Sequence, residues 1–366
     1  MNIRAQRIYG LDFLKVMATI AIVLHHYQQV FDVWFEKGIN FYGTWFEWGF
    51  LVELFFLLSG YFMYRYSARI YGGEIELGSW VYKRAKRLLP MMAVSAVVYE
   101  IFLFAYWILT GSFFASLGKL SGWGVIITAL GLQSGGVFSN PGINNPTWYI
   151  SVLMICYTVF YLVTRLAAIL KCRPCYLYVA MVIFGLGILN AGISLPFMNN
   201  AAARGYRSFF YGLLLAQFVD CCGITRKEVC SCTVISAMIL GAFAVKPGIL
   251  SDGLDNVLCY GLYPCIILLL ESAPIRKLFH PFWGTLGQIS FHVYIWHLTV
   301  CLAVATLSII ANIQLNYNSV GMLCVVVAMI IVAGCLSYGF LEKPLDRFVE
   351  NQASQLRDRA EKKGNM

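Results

Sequence analysis

Two adjacent histidines, His25 and His26, stand near the end of an otherwise mostly apolar segment, Tyr9 to Phe31. Neutral imidazole is the side chain best matched to take up a proton near pH 7. Acyl transfer from a thioester to an alcohol needs such a base, because the hydroxyl must lose its proton as it attacks. The same imidazole could instead take the acyl group itself and pass it on in a double displacement. Lys15 precedes His26 by eleven residues, about three helical turns, which puts both on one helix face about 16 Å apart. In the next apolar run, VELFFLLSGYF, Glu53 could orient or charge-stabilise the imidazole, or equally act as a packing carboxylate paired with a Lys or Tyr. Arg84 and Arg87, in WVYKRAKRLLP, could clamp phosphates through their guanidinium forks, or could be an ordinary basic helix end.

The elements that must position these residues follow from composition. Of 366 residues, 60% are apolar and only 12% charged, with a mean hydropathy of +0.71. Soluble domains carry roughly 25% charge, so the chain reads as an all-α, polytopic membrane protein with no separate soluble domain. Ionisable side chains inside hydrocarbon cost about 2.5 to 3.5 kcal/mol each, which makes Lys15, His26 and Glu53 functional candidates by position alone. Windows of about 20 apolar residues predict ten spans, near 9–31, 45–66, 88–110, 147–168, 175–195, 206–221, 229–245, 255–271, 286–310 and 319–341. The Gly-rich segment 122–139 reads as a re-entrant or interfacial piece. Residues 1–345 form the membrane domain and 346–366 a short charged tail.

Cations fall unevenly between the loops, which sets the orientation. Arg65, Arg69, Lys83, Arg84, Lys86, Arg87, Arg165, Lys171, Arg173, Arg226, Lys227, Arg276 and Lys277 lie on the side of the N-terminus, and Lys37, Lys119, Arg204, Arg207 and Lys246 on the other. Both termini are therefore expected in the cytoplasm. This asymmetry accounts for the net charge of +9 without invoking nucleic acid. Tyr9 to Phe31 lacks a small-residue cleavage site and reads as a retained first span.

Six segments in order resemble the acyltransferase-3 family of integral membrane acyltransferases. They are GLDFLK with His26 after it, VELFFLLSGYF, KRAKRLLP, PTWYISVLMICYTVFYL, ISFHVYIWHLTV and GFLEKPLDRF. The resemblance implies transfer of an acyl group, usually acetyl from acetyl-CoA on the cytoplasmic side, to a sugar hydroxyl of a cell-envelope or secreted glycan. That would place the protein in a plasma membrane, in a bacterial setting, among membrane lipid. It assigns the essential histidine to His26 rather than His25, and places Lys15 where the family has arginine, so the charge is kept and the planar fork lost. Leu153 stands where many polysaccharide-modifying members have Glu, which points to a different branch or acceptor.

With the resemblance, Arg84 and Arg87 become the candidate clamp for the donor's phosphates, and Ser59 and Gly60 the wall of a channel for its pantetheine arm, or simply a packing contact. Trp148 and Tyr149 could stack on an acceptor sugar or anchor at the bilayer interface. His297, where the family repeats a histidine, is a candidate substrate contact, its alternative being a bonded packing residue. Glu342 heads the closing EKP, where it could pair with the arginine-rich mouth. Twelve cysteines, including CRPC at Cys172 to Cys175, lack two properly spaced pairs and a nearby histidine, so no metal is expected. A flippase or exporter is the rival reading, though transporters tend to show matched repeats and none is visible here. A receptor or scaffold without chemistry would not need His26, Arg84 and Arg87 together.

Overall fold

The computed structural model describes residues 7–344, apart from 37, 39, 45, 47, 117–118, 137–142, 247, 249–252 and 343. The predicted tail, 346–366, lies outside the described residues. The chain is helical almost throughout. The main helices are α1 (Tyr9–Phe31), α2 (Leu51–Met63), α3 (Leu77–Thr110), α4 (Gly122–Ala129), α5 (Trp148–Ile169), α6 (Pro174–Ala191), α7 (Asn200–Cys222), α8 (Arg226–Val245), α9 (Leu254–Glu271), α10 (Phe282–Ile310) and α11 (Val320–Glu342). Among the described residues, seven helices are long and apolar enough to cross a membrane: α3, α5, α6, α8, α9, α10 and α11. The predicted windows at 9–31, 45–66 and 206–221 also hold helices, α1, α2 and α7, and these three carry Asp12, Glu53 and Arg207, all buried.

Local sequence explains the boundaries. Asn199 caps α7 by accepting from the Ala202 N–H, Thr225 and Glu228 form a reciprocal capping box on α8, and Ser319 caps α11. Pro174 opens α6, and Gly192 closes it with a positive φ of 62°. In α9 the helix widens to a π-turn over Leu258–Leu262, just before Pro264. Helix α4, within the predicted re-entrant segment, has eight residues and packs on α3. At about 1.5 Å per residue it is too short to cross a bilayer alone.

Packing brings distant segments to two faces. On the entry face, where α1 begins, the Arg7 guanidinium donates to the Gly284 carbonyl at 2.5 Å. On the opposite face the Tyr27 hydroxyl donates to the Tyr317 carbonyl at 2.8 Å. Helix α2 packs most extensively on α7. A Cβ on Gly60 would stand 1.9 Å from the Phe209 carbonyl oxygen, and one on Gly212 would stand 2.0 Å from that of Leu57. The two helices therefore cross backbone to backbone, in the manner of small-residue crossings between membrane helices.

Candidate functional site

Helices α1 and α10 lie against each other and bring two imidazoles together, with ring centroids 5.0 Å apart. His297 Nδ1 is 2.5 Å from the Tyr294 carbonyl oxygen, so it carries a proton and donates. Its Nε2 is then the lone-pair nitrogen and lies 3.3 Å from His26 Nδ1. His26 Nδ1 is also 3.0 Å from the Ile22 carbonyl oxygen. Facing two acceptors, His26 Nδ1 must be the N–H, which leaves Nε2 of this half-buried ring as the basic nitrogen. A backbone carbonyl and a second imidazole thus set the tautomer of His26, as a carboxylate does in other acyl-transfer sites.

A line of hydroxyls and rings runs from this pair toward the entry face. Tyr294 stacks edge-on to Tyr149 at 5.7 Å, and the Tyr149 hydroxyl lies 3.3 Å from Ser59 Oγ. Tyr157 lies about two helical turns after Tyr149 on α5, and the Arg84 guanidinium lies 5.9 Å from its ring. Arg84 stacks 3.2 Å above the Trp80 ring and 5.1 Å from that of Tyr66, donating to the Trp80 carbonyl at 3.2 Å. Among the described residues no carboxylate pairs with Arg84 or Arg87. Arg87 lines a polar cavity of about 260 Å³ with Gln288, Phe291, His292, Tyr338 and Glu342. There Glu342 pairs with His292 at 3.3 Å, and among the described residues its carboxylate makes no ion pair with Arg87 across the cavity.

The family described as "Acyltransferase domain" matches residues 8–338, nearly the whole chain. The chain belongs to the acyltransferase-3 family. No curated protein and no solved structure matches it. Five of the six segments quoted above, far apart in sequence, meet along this one line: His26 from the first, Ser59 from the second, Arg84 from the third, Tyr149 from the fourth and His297 from the fifth.

Other predicted site residues sit elsewhere. Lys15 is not in contact with His26. It pairs with Asp12 at 3.2 Å and lies 4.5 Å from the Phe62 ring, while Arg7 holds the other Asp12 oxygen at 2.6 Å. The cause is its i,i+3 spacing from Asp12, an acid in the first turn of α1, where the helix dipole favours it. Glu53 does not touch an imidazole either. Its carboxylate accepts from Arg204 at 2.5 and 2.9 Å and from Arg207 at 3.4 Å, and Arg207 also pairs with Asp255 at 2.8 Å. Both arginines were expected in an outer loop. Helix α7 begins at Asn200, several residues before the predicted window, and takes both into the bundle, with Arg207 2% exposed.

Gly60 faces the α7 backbone at the helix crossing and belongs to packing, whereas its neighbour Ser59 faces the line of hydroxyls. Trp148 lies 4.9 Å beneath the Arg204 guanidinium. The described cysteines are all free thiols, and no cluster of three or more metal-ligating side chains occurs among the described residues. What sequence reasoning missed is the partner set of Glu53. Its one visible signal was a pair of arginines three residues apart beside an apolar run, RGYRSFFYGLLL.

Proposed function

We propose that the protein is a ten-span acyltransferase of a cell membrane, moving an acetyl group from acetyl-CoA to a hydroxyl of a cell-envelope or secreted glycan. The observation that carries this reading is the imidazole pair, with His26 Nε2 left basic, and the line of Ser59 and three tyrosines that runs from it to a guanidinium that no described carboxylate neutralises. Cation excess on the entry face makes it the cytoplasmic side, with both termini there and α1, α2 and α7 completing the ten spans. A bacterial plasma membrane suits a chain of this kind.

On this reading Arg84 and Arg87 receive the phosphates of acetyl-CoA, and the pantetheine arm follows the line past Ser59 and Tyr149. His26 Nε2 removes the proton of the acceptor hydroxyl as its oxygen attacks the thioester carbonyl. The tetrahedral intermediate then expels the thiolate, which takes the proton back from the imidazolium, so atoms and charge balance. His297 Nε2 accepts from His26 Nδ1–H and shares the positive charge that develops there.

Label from isotopic acetyl-CoA, followed into glycan and small-molecule fractions of membranes holding wild type, His26→Ala or Arg84→Ala at matched expression, tests the reading. Transfer by wild type and its loss in both variants is the expected result. Equal transfer in all three, or none while a glycan is still exported, would replace the enzyme with a transporter.

A further inference from the structure

His25 takes no part in the imidazole pair, yet it is buried and tightly engaged. Its Nδ1 donates to the Phe41 carbonyl at 2.7 Å, and its ring stands edge-on to His26 at 5.1 Å and to Tyr42 at 5.4 Å. One turn later on α1, Gln28 Oε1 accepts from the Phe41 N–H at 2.5 Å and Gln28 Nε2 donates to Asn40 Oδ1 at 2.7 Å. Both backbone polar groups of one loop residue are therefore held by side chains of the helix that carries His26. Burying a glutamine and a histidine for that purpose costs free energy unless every bond is made, and these are made.

The loop so fixed presents two aromatic rings. Tyr42 is 37% exposed and Trp34 52% exposed. Trp34 lies against the backbone that follows Tyr42: a Cβ on Gly43, which has φ +68°, would lie 3.9 Å from Trp34 Cζ3. Rings that merely anchor in a bilayer interface need no registration against a particular helix. A ring registered within one side chain of a basic imidazole, as Tyr42 is through His25, with a second exposed ring on the same loop, is suited to hold a flat-faced, hydroxylated molecule beside that base, its C–H face on the ring and its hydroxyls toward the imidazole.

We propose that Trp34 and Tyr42 form the acceptor subsite, on which a pyranose ring stacks beside His26, and that His25 and Gln28 are the positioning residues that hold the subsite in register. This rests on the reading of His26 as the transferring base. The full chain in proteoliposomes, given labelled acetyl-CoA, is assayed with soluble methyl hexopyranosides and with the acyclic hexitol sorbitol, and acetate released to water is counted separately. Wild type is expected to acetylate a pyranoside in preference to sorbitol. Trp34→Ala and Tyr42→Ala each raise KM for that pyranoside about tenfold, with KM for acetyl-CoA moving less than about twofold. His25→Leu raises the same KM, and His25→Gln, which restores a donor, recovers part of it.

An unchanged pyranoside KM in the two ring variants, equal use of sorbitol, or a joint rise of both KM values would overturn the subsite. Acetate release by wild type without transfer to any pyranoside overturns it too, and leaves the acyltransferase reading standing. Wild type that releases no acetyl group at all overturns the reading and the subsite with it.

Discussion

Glu53 is where the structure makes the sharpest quantitative demand. Its carboxylate is 1% exposed and accepts three N–H bonds, two from Arg204 and one from Arg207, whose side chains are 22% and 2% exposed. Arg207 retains Asp255 at 2.8 Å when Glu53 is removed, so the loss falls mainly on Arg204, which keeps only the Gly49 carbonyl at 3.3 Å and the Trp148 ring. Breaking a buried pair by deleting one partner costs about 3–5 kcal/mol, because the surviving charge is left uncompensated. Glu53→Ala should therefore cut folded yield in detergent and lower the thermal midpoint by roughly 5 °C or more. Glu53→Ala combined with Arg204→Ala should recover part of the loss, since the two side chains form one unit. Size-exclusion profiles after graded heating read the stability, and transfer is measured per folded molecule. A Glu53→Ala protein with an unchanged midpoint and transfer lost about a hundredfold would refute the argument and return Glu53 to the imidazole as a catalytic partner.

Further outcomes follow from other contacts. His297→Phe keeps the ring volume and removes the acceptor of His26 Nδ1–H, so initial-rate kinetics should show kcat reduced about 10- to 100-fold at a nearly constant KM for acetyl-CoA. Arg84→Lys keeps the charge but loses the plane stacked on Trp80, and should raise KM for acetyl-CoA several-fold while making it more sensitive to salt. Gly60→Ala must force α2 from α7 and should abolish most folded protein on size exclusion. Gly187→Ala in α6, where an added Cβ meets nothing within 4 Å, should instead stabilise by about 0.5–1 kcal/mol in a thermal-shift assay.

Much of the fold was legible because its signal is local. Apolar windows located the helices and placed the starts of α1, α5, α6, α9 and α11 within a residue of those observed. His26 could be separated from His25, and Arg84 placed at a helix mouth, from spacing and ordered motifs. The rest was hidden because it depends on which helices touch. Nothing adjacent to Glu53 foretells Arg204, 151 residues away, and the predicted window opened at 206, after Arg204, whereas the helix opens at Asn200. Lys15 shows what periodicity leaves out: the spacing puts it on the face of His26, while its ion-pair partner is Asp12, one turn back. Gly60 shows that neighbours in one motif can divide its labour, Ser59 bonding the Tyr149 hydroxyl and Gly60 letting two backbones meet.

The hydrogen bond from His297 to the Tyr294 carbonyl bears on proton movement through the bundle. Hydroxyls and imidazoles in series are the components of a proton wire, and a wire joining two compartments would dissipate the electrochemical gradient. A backbone carbonyl accepts a proton's hydrogen bond but cannot relay the proton onward. The Nδ1–H of His297 is thus a terminus rather than a link in any such wire.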